Sequence, residues 1–372
     1  MLKKTEIGAL IIIFASIFFF RLFWVTFKEK VEIGNYVEIS GRVEAGKGKI
    51  EKINNQVPIK NIYFIVDKVA DGEKNIYGKI TKIKYSKWGT KYKIEVENIK
   101  DKVNFFKEFF IKKIKRITEN YSIDLEHFLR ATILGEGYLL DEYLKDKFRY
   151  TGTAHLLVIS GLHIGIIVSG MIFLFLKLNF KKQNRYIIIF IILTLYVFSI
   201  GKSPSVFRAY IMAAIYLLGN ILYEKVDSKK SFILAFCISL LIYPTWIYSL
   251  SFWMSYVAVF SIIFIYQRIP KFKNKILILE KTLNLMLMTF IIQISMTPIL
   301  YIYFRNIPLL SFFSNIFIIP IASFFMILSF LALFLSNFYL EFLITPLVNY
   351  TYIFLIDTIY LFSEIPYLTL EL

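Results

Sequence analysis

The sequence is poor in the residues that build disulfides and metal clusters. It contains one cysteine, Cys237, and three histidines among 372 residues. A single cysteine excludes an intramolecular disulfide and a zinc cluster built from several thiolates. No phosphate-binding Gly-rich loop is present, so the energy for any transport must come from another protein. We predict a protein without a cofactor, without a metal site and without enzymatic activity.

Acidic residues are also scarce, and hydrophobic residues are abundant. The chain has 27 Asp and Glu against 44 Lys and Arg, a formal net charge of +17, 57% hydrophobic residues and a mean hydropathy of +0.60. Beyond about residue 150, apolar runs of membrane-spanning length recur, which excludes a soluble globular protein. The fold class predicted is a polytopic α-helical membrane protein of about nine spans with a small extracytoplasmic all-β, OB-like domain. The expected spans are about 7–27, 155–176, 186–200, 206–223, 231–248, 251–266, 283–302, 309–335 and 340–363, where 309–335 crosses once or as two broken helices.

Four regions follow from these patterns: an N-terminal membrane anchor (1–27), the OB-like β domain (28–103), amphipathic linker helices (104–150) and a transmembrane domain (151–372). A cleaved signal peptide is the alternative for the first region. Short alternating runs at 36–43, 61–66, 76–85 and 91–96 predict the β domain as a small barrel or sandwich. Phe and Lys alternate along 104–117, as in a basic helix lying on the membrane surface or a linker packed on the β domain.

Lys and Arg cluster in alternate loops of the membrane region. With the N-terminus in the cytoplasm, every basic loop lies on the cytoplasmic side and the β domain lies outside the cell membrane. We therefore expect a multi-pass protein of the inner, cytoplasmic membrane.

The segment Thr151-Gly-Thr-Ala-His-Leu-Leu-Val-Ile-Ser-Gly-Leu-His-Ile-Gly165 places polar side chains in an apolar stretch. Taken as one helix, it puts His155, Ser160 and His163 on one face and the small residues Gly161, Gly165 and Ser169 on roughly the opposite face. The polar face would line a cavity or be satisfied by neighbouring helices. The small residues predict close helix packing. The two histidines are about 12 Å apart along a helix, too far to share one metal ion.

A second polar position lies at the start of a later span, in Gly201-Lys-Ser-Pro-Ser-Val-Phe-Arg208. Ser203 and Pro204 are a suitable N-cap and first-turn pair. Arg208 is then about 6 Å inside the helix, where it either extends to the interface or binds a phosphate group next to a polar path, with Lys202 adding positive charge. Asn315 is a further intramembrane polar candidate.

These segments resemble the ComEC-type competence proteins, the inner-membrane DNA channels of natural transformation. The motifs are 134–135 with 148–165, Pro204-Ser-Val-Phe-Arg208-Ala, 243–255 and 298–320, and they follow the family's order. The resemblance implies passage of single-stranded DNA and assigns the polar face of 155–165 and Arg208 to the channel or its packing. It departs from the family where Phe252-Trp-Met-Ser255-Tyr lacks a glutamine, and the metallo-β-lactamase-like domain of many relatives is not in these 372 residues. We therefore expect a separate nuclease.

The β region could capture the DNA, since residues 28–120 hold 20 Lys and 2 Arg against 13 acidic residues. Basic and aromatic side chains together suit a single strand, because lysines track phosphates and rings stack on bases. The capture candidates are Lys82, Lys84, Tyr85, Lys87, Trp88, Lys91 and Tyr92. A solvated surface over core aromatics is the other interpretation.

The expected partners are single-stranded DNA, membrane lipid, a cytoplasmic motor or DNA-binding protein, the nuclease and a second copy of the chain. Three other functions stay open on the sequence. They are transport of another anionic envelope substrate, an intramembrane hydrolase with Ser160 as nucleophile and His163 as base, and a scaffold without transport activity.

Overall fold

The computed structural model describes residues 4–26, 31–43, 47–54, 56–58, 62–67, 72–86, 89–101, 105–200, 203–273, 275–304, 306–307, 311–365 and 370–371. The chain forms two compact units, one of residues 1–104 with 237–249 and one of residues 105–236 with 250–372.

The first unit contains an apolar helix and a small β-barrel. The helix is α1 (Lys4–Val25), and the strands are β1 (Tyr36–Val43), β2 (Lys47–Ile53), β3 (Ile62–Val66), β4 (Gly72–Ser86) and β5 (Gly89–Asp101). The barrel closes in the order β1-β2-β3-β5-β4, with β3 and β5 parallel and the other pairs antiparallel. Alternation of buried and exposed residues along each strand fills its interior with aliphatic side chains and Phe64.

Four of the five strands match the alternating runs of the sequence, and β1 has the predicted bounds. Strand β2 is absent from the prediction because Lys47-Gly-Lys-Ile-Glu-Lys-Ile has only two apolar residues. Both of them, Ile50 and Ile53, are nonetheless fully buried in the barrel. The two side chains are buried because β2 pairs with its neighbour β1 in the closed barrel. The composition of β2 alone does not indicate that pairing.

The second unit is a helical bundle, apart from two residues in each of two short strands. Its elements are α2 (Phe105–Thr118), α3 (Ile123–Leu134), α4 (Glu142–Tyr150), α5 (Gly161–Lys177), α6 (Lys182–Ser199), α7 (Pro204–Ile221), α8 (Ser228–Ile242, divided between the units), α9 (Leu250–Phe260), α10 (Leu277–Phe304), β6 (Asn306–Ile307), α11 (Ser311–Leu335), α12 (Thr345–Ser363) and β7 (Leu370–Glu371). The ring of Phe128 packs against those of Phe148, Phe325 and Tyr352, at centroid distances of 6.0, 5.5 and 5.2 Å. This cluster joins α3, α4, α11 and α12 in one core.

Within the described residues, four helices are long and apolar enough to cross a membrane. They are Pro204–Ile221, Leu250–Arg268, Leu277–Tyr303 and Ser311–Phe338, and Ile13–Phe23 and Gly161–Lys177 are shorter apolar helices. The protein is thus mostly helical and has the character of a membrane protein, while the count of about nine spans stays a prediction. Helix α11 runs without a break through Pro320, so the region expected at 309–335 is one helix rather than two.

Helix α2 belongs to the second unit, where Ile114 and Ile117 are buried in the core. Phe105, Phe106 and Phe109, nearer its N-terminus, are exposed. The apolar surface expected along 104–117 is therefore divided between the core and the exterior. Arg116 fixes the C-terminal end of the helix: it bonds to Glu341 at 2.5 Å and lies 3.9 Å from the ring centroid of Tyr339.

Candidate functional site

The signature segment is not the single helix that the sequence suggested. A short 3₁₀ turn spans Ala154–Leu156, and α5 begins only at Gly161, after Ser160 as its N-cap. The prediction of one helix over 155–169 is therefore wrong, and its helical angles do not apply. The reason is local: Ser and Gly together favour a cap and chain reversal over helix continuation.

Ser160 and His163 are brought together by the start of α5. The Ser160 Oγ lies 2.9 Å from His163 Nδ1, which also accepts a hydrogen bond from the Ser160 backbone N–H at 3.2 Å. The same Oγ accepts from the backbone N–H of Leu162 at 3.2 Å. This is a capping box, so both polar side chains satisfy backbone groups of the first helical turn.

His155 takes no part in this capping box. Its side chain is exposed, whereas His163 is buried and faces a cavity of about 10 Å³ lined mainly by apolar side chains. A space of that size holds at most one water molecule. The continuous polar face of His155, Ser160 and His163 is thus a correction to the sequence prediction, because the loop at 157–160 separates its members.

A larger cavity lies along α5 and α7. It has a volume of about 480 Å³, and Val259 of α9 completes its lining; we call it the α5–α7 groove. The α5 side consists of Gly161, Ile164, Gly165, Val168, Ser169 and Ile172, and the α7 side of Arg208, Ala209, Met212, Ala213 and Tyr216. Both sides carry small residues at every fourth position, which leaves room where larger side chains would meet.

The small residues of α5 serve two different purposes. A Cβ atom on Gly161 would lie 3.0 Å from a terminal nitrogen of Arg208, so a glycine is needed for the guanidinium to approach the helix. At Gly165, in contrast, an added Cβ meets no described atom within 4 Å, and Ser169 is exposed with its hydroxyl bonded to the Gly165 carbonyl. Tight helix packing is confirmed at neither Gly165 nor Ser169, since both line the groove.

Arg208 is buried in the groove wall rather than extended to an interface. Its side chain is 6% exposed, one terminal nitrogen donates to the Ser255 carbonyl, and Tyr256 lies with its ring centroid 5.9 Å from the guanidinium carbon. Its Nε–H has no hydrogen-bond partner, and no carboxylate pairs with it in the described part of the chain. A guanidinium in this position keeps donors available for a planar or tetrahedral anion.

The backbone places this charge next to a second positive feature. Gly161 is the first residue of α5, so Arg208 lies at the helix end where the unsatisfied N–H groups give partial positive charge. Pro204 opens α7 as predicted, and Ser203 takes the N-cap position without a side-chain cap bond. Two positive features at one point without a carboxylate favour an anionic ligand.

The remaining channel candidates lie elsewhere. Asn315 is buried on α11, which contributes no residue to the groove, and its Oδ1 has no partner among the described atoms. Lys202 lies outside the described residues. Of the channel candidates, the structure thus places only Arg208 in the groove.

Sequence reasoning missed three buried features of this unit. The sequence prediction treated Arg185 only as one charge of a basic loop, but the side chain is buried, with 9% of its surface exposed. Thr151 and Ser314 hold the segment before the signature to α11, with the Ser314 hydroxyl donating to the Thr151 carbonyl at 2.8 Å. Glu136 forms ion pairs with Lys107 and Arg130. Residue type alone carries no signal of burial for these side chains.

Glu136 lies at the end of α3, which closes on Gly135 in the left-handed region (φ 74°). Its carboxylate is 3.1 Å from Lys107 Nζ on α2 and accepts from Arg130 Nε at 2.6 Å. Burial favours the neutral carboxyl, but the charges and hydrogen bonds of Lys107 and Arg130 outweigh burial and hold the pKa of Glu136 below its usual value. The network fixes α2 to the loop that precedes the signature.

In the barrel, the capture candidates separate into a basic face and a core residue. Lys82 stands opposite Lys93 and Lys84 opposite Lys91 on β4 and β5, and all four side chains are exposed. We call them the lysine ladder. Tyr92 is 6% exposed and packs in the barrel interior, so its assignment to a stacking surface is wrong: the alternation of β5 points it inward.

The structure describes little of the other barrel candidates. Lys87 and Trp88 lie outside the described residues, and for Tyr85 only the backbone in β4 is described. Tyr36 and Tyr77 form an exposed ring pair, stacked at a centroid distance of 5.8 Å. Hydrogen bonding to the Glu97 carboxylate raises the pKa of Tyr36.

The family assignment rests on the greater part of the chain, residues 132–372. A model of the competence protein family matches residues 132–372, which includes the signature, the groove and α7 to α12. The chain belongs to the competence protein family. That assignment confirms the resemblance drawn from the sequence motifs.

Individual relatives cover less of the chain. It is 27% identical over 220 residues to ComE operon protein 3 of Bacillus subtilis, covering 58% of this chain and 27% of that protein. It is 28% identical over 167 residues to Recombination protein 2 of Haemophilus influenzae, covering 43% of this chain and 21% of that protein. An uncharacterized protein of Aquifex aeolicus is 27% identical over 179 residues, 46% of this chain and 40% of the relative. The matches thus span less than half of these relatives' length, and no solved structure matches the chain.

Proposed function

We propose that this protein conducts single-stranded DNA across the cytoplasmic membrane during DNA uptake, with the helical unit as the conducting body. The observation that carries the proposal is the buried, carboxylate-free guanidinium of Arg208 in the wall of the α5–α7 groove. An unpaired charge in a membrane protein is costly, so such residues mark ligand or ion pathways. The names of the relatives, a protein of the ComE operon and a recombination protein, are in keeping with a DNA substrate.

The β-barrel supplies the capture step in this proposal. Its closed five-stranded barrel supports the prediction of an OB-like domain, an architecture that binds single strands by a charged groove and stacking rings. Like charges placed directly opposite each other destabilise a sheet, so the Lys84–Lys91 pair of the ladder is unfavourable for folding alone, whereas Lys93 pairs with Asp67 at 3.1 Å. A phosphate backbone would neutralise it. Lys82, Lys84 and Lys91 therefore stay capture candidates.

The proposed membrane arrangement follows the basic loops. The N-terminus lies in the cytoplasm and the barrel on the outer side, so the barrel binds the strand before the helical unit conducts it. A cytoplasmic motor or DNA-binding protein would pull the strand, and a separate nuclease would remove the second strand. His155, Ser160, His163, Lys202 and Asn315 stay candidates for contacts along the way.

The test is uptake into sealed vesicles that contain the full-length chain and a trapped single-strand-binding protein to retain the DNA. End-labelled single-stranded DNA is added outside, and the label that survives external nuclease is measured. We expect protection of single-stranded but not double-stranded DNA, reduced at least tenfold by Arg208→Gln. Arg149→Gln is the matched control, because Arg149 is 59% exposed and outside the groove. Wild-type protection no greater than that of empty vesicles would overturn the proposal.

A further inference from the structure

A second buried guanidinium lies beside the far end of the α5–α7 groove, where Tyr186 connects it to the lining residue Tyr216. Arg185, in the first turn of α6, is 9% exposed, and its Nε–H has no partner in the described chain. Its guanidinium carbon lies 5.1 Å from the ring centroid of Tyr186. The Tyr186 ring in turn makes an edge-to-face contact with Tyr216, the last α7 residue of the groove lining, at a centroid distance of 6.3 Å.

The helix directions fix which end this is. Helices α5 and α7 run side by side in the same direction: both line the groove along their length, and their starts are close enough that a Cβ on Gly161 would lie 3.0 Å from Arg208. Helix α6, which connects them in the chain, runs the opposite way, since its Gln183 amide donates to the Ile221 carbonyl at the end of α7. Arg208 and Tyr216, the groove residue nearest to Arg185, are therefore separated along α7 by a rise of about 12 Å.

Neither arginine forms an ion pair with a described carboxylate, so positive charge lies in the groove wall at Arg208 and beside the far end of the groove at Arg185. A ligand with one phosphate group would satisfy one end only. A chain with repeated negative charges satisfies both, and the paired rings of Tyr186 and Tyr216 offer an aromatic surface beside the second charge. Small residues keep the stretch between the ends open.

We infer that Arg185, with Tyr186 and Tyr216, forms a second phosphate-binding position, and that a single nucleic acid strand occupies the groove from Arg208 to Arg185. The inference rests on the proposed function. It assigns Arg185 to the end of the groove from which the strand would leave. Arg185 acts as a binding residue for the backbone of the strand, and Tyr216 is the side chain nearest to a base at that position.

The first arm of the test uses the same vesicles and full-length protein. Arg185→Gln should reduce nuclease-protected single-stranded DNA at least tenfold, and Arg185→Lys should retain part of the activity, since lysine keeps the charge without the paired donors. Lys177→Gln is the control. It removes one charge at the same end of the bundle, from an exposed side chain outside the groove.

The second arm does not depend on the folding of an arginine variant. The variants Met212→Cys and Tyr216→Cys are made in a Cys237→Ser background, which has no other cysteine. Each is incubated with single-stranded DNA that carries thiol-reactive groups and has a bulky end, so that the strand stalls during passage. Both positions should cross-link, whereas Leu218→Cys, an exposed α7 position outside the groove, should not.

Each outcome decides a different claim. Wild-type protection with full activity in Arg185→Gln and no cross-link at Tyr216→Cys overturns this inference and leaves the proposed function intact. No wild-type protection at all overturns the proposed function and the inference with it. A phospholipid that co-purifies with the wild type and is lost in Arg208→Gln and Arg185→Gln, without cross-links to DNA, would make the groove a lipid site instead and overturn the inference.

Discussion

Replacing Glu136 by glutamine should release α2 from the helical unit. The substitution keeps the shape of the side chain but leaves Lys107 and Arg130 without the buried carboxylate that they share. Breaking a buried ion pair by removing one partner costs about 3–5 kcal/mol. Lys107 and Arg130 are each 16% exposed, so partial hydration favours the lower end, about 3 kcal/mol.

That free energy converts directly into an exchange rate. At about 1.4 kcal/mol per factor of ten, a loss of about 3 kcal/mol raises the equilibrium constant for local opening about 100-fold. Hydrogen–deuterium exchange followed by mass spectrometry should show this increase in peptides of α2. Peptides of the barrel strands, which belong to the other unit, should be unaffected.

The same network gives a signed dependence on pH. The pKa of Glu136 is lower in the folded protein than its usual value of about 4.3, so its contribution is fully present above that pH and is lost as the pH falls through the folded pKa. Protection of α2 in the wild type should therefore decline in this acidic range and not between pH 6 and 8. Glu136→Gln should lack the component of the decline that this carboxyl supplies. Exchange in α2 within twofold of wild type at neutral pH would refute the reasoning.

Three further substitutions test other contacts. Gly161→Ala should displace the groove guanidinium and lower nuclease-protected DNA several-fold, while Gly170→Ala, where an added Cβ meets no described atom, should not; equal effects would contradict this. Lys84→Glu places a carboxylate opposite Lys91 and should stabilise the barrel by about 0.2–1 kcal/mol in chemical unfolding while weakening single-stranded DNA binding. Ser160→Ala removes the N-cap of α5 and should speed amide exchange in its first turn about fivefold, for a cost of about 1 kcal/mol; an unchanged rate would show that the cap contributes nothing.

Local patterns predicted the secondary structure where they were strong. The bounds of β1, the opening of α7 at Pro204 and the helical character of 311–335 all follow from alternation, proline position or hydropathy. The break before Gly161 was harder to predict, because the apolar residues on both sides of Ser160 are equally suited to continuing one helix. Only the capping hydrogen bonds of Ser160 and His163 distinguish the two conformations.

The site was predictable only in part, for a related reason. Arg208 is singled out by its place inside an apolar run, and the structure puts it in the groove. Arg185 lies among other basic residues and carries no such signal, since its burial depends on α7 packing beside α6. Tyr92 shows the converse: aromatic residues in a basic strand suggest stacking, but strand alternation decides which of them point outward.

The lysine ladder makes the barrel respond to salt in two opposite ways. Added ions screen the repulsion between Lys84 and Lys91, so they should make the folded barrel more stable. The same ions compete for the phosphates of a bound strand and should weaken DNA binding. The domain would then bind DNA most tightly at the ionic strength where it is itself least stable, and the phosphates of the strand would act as counterions for Lys84 and Lys91.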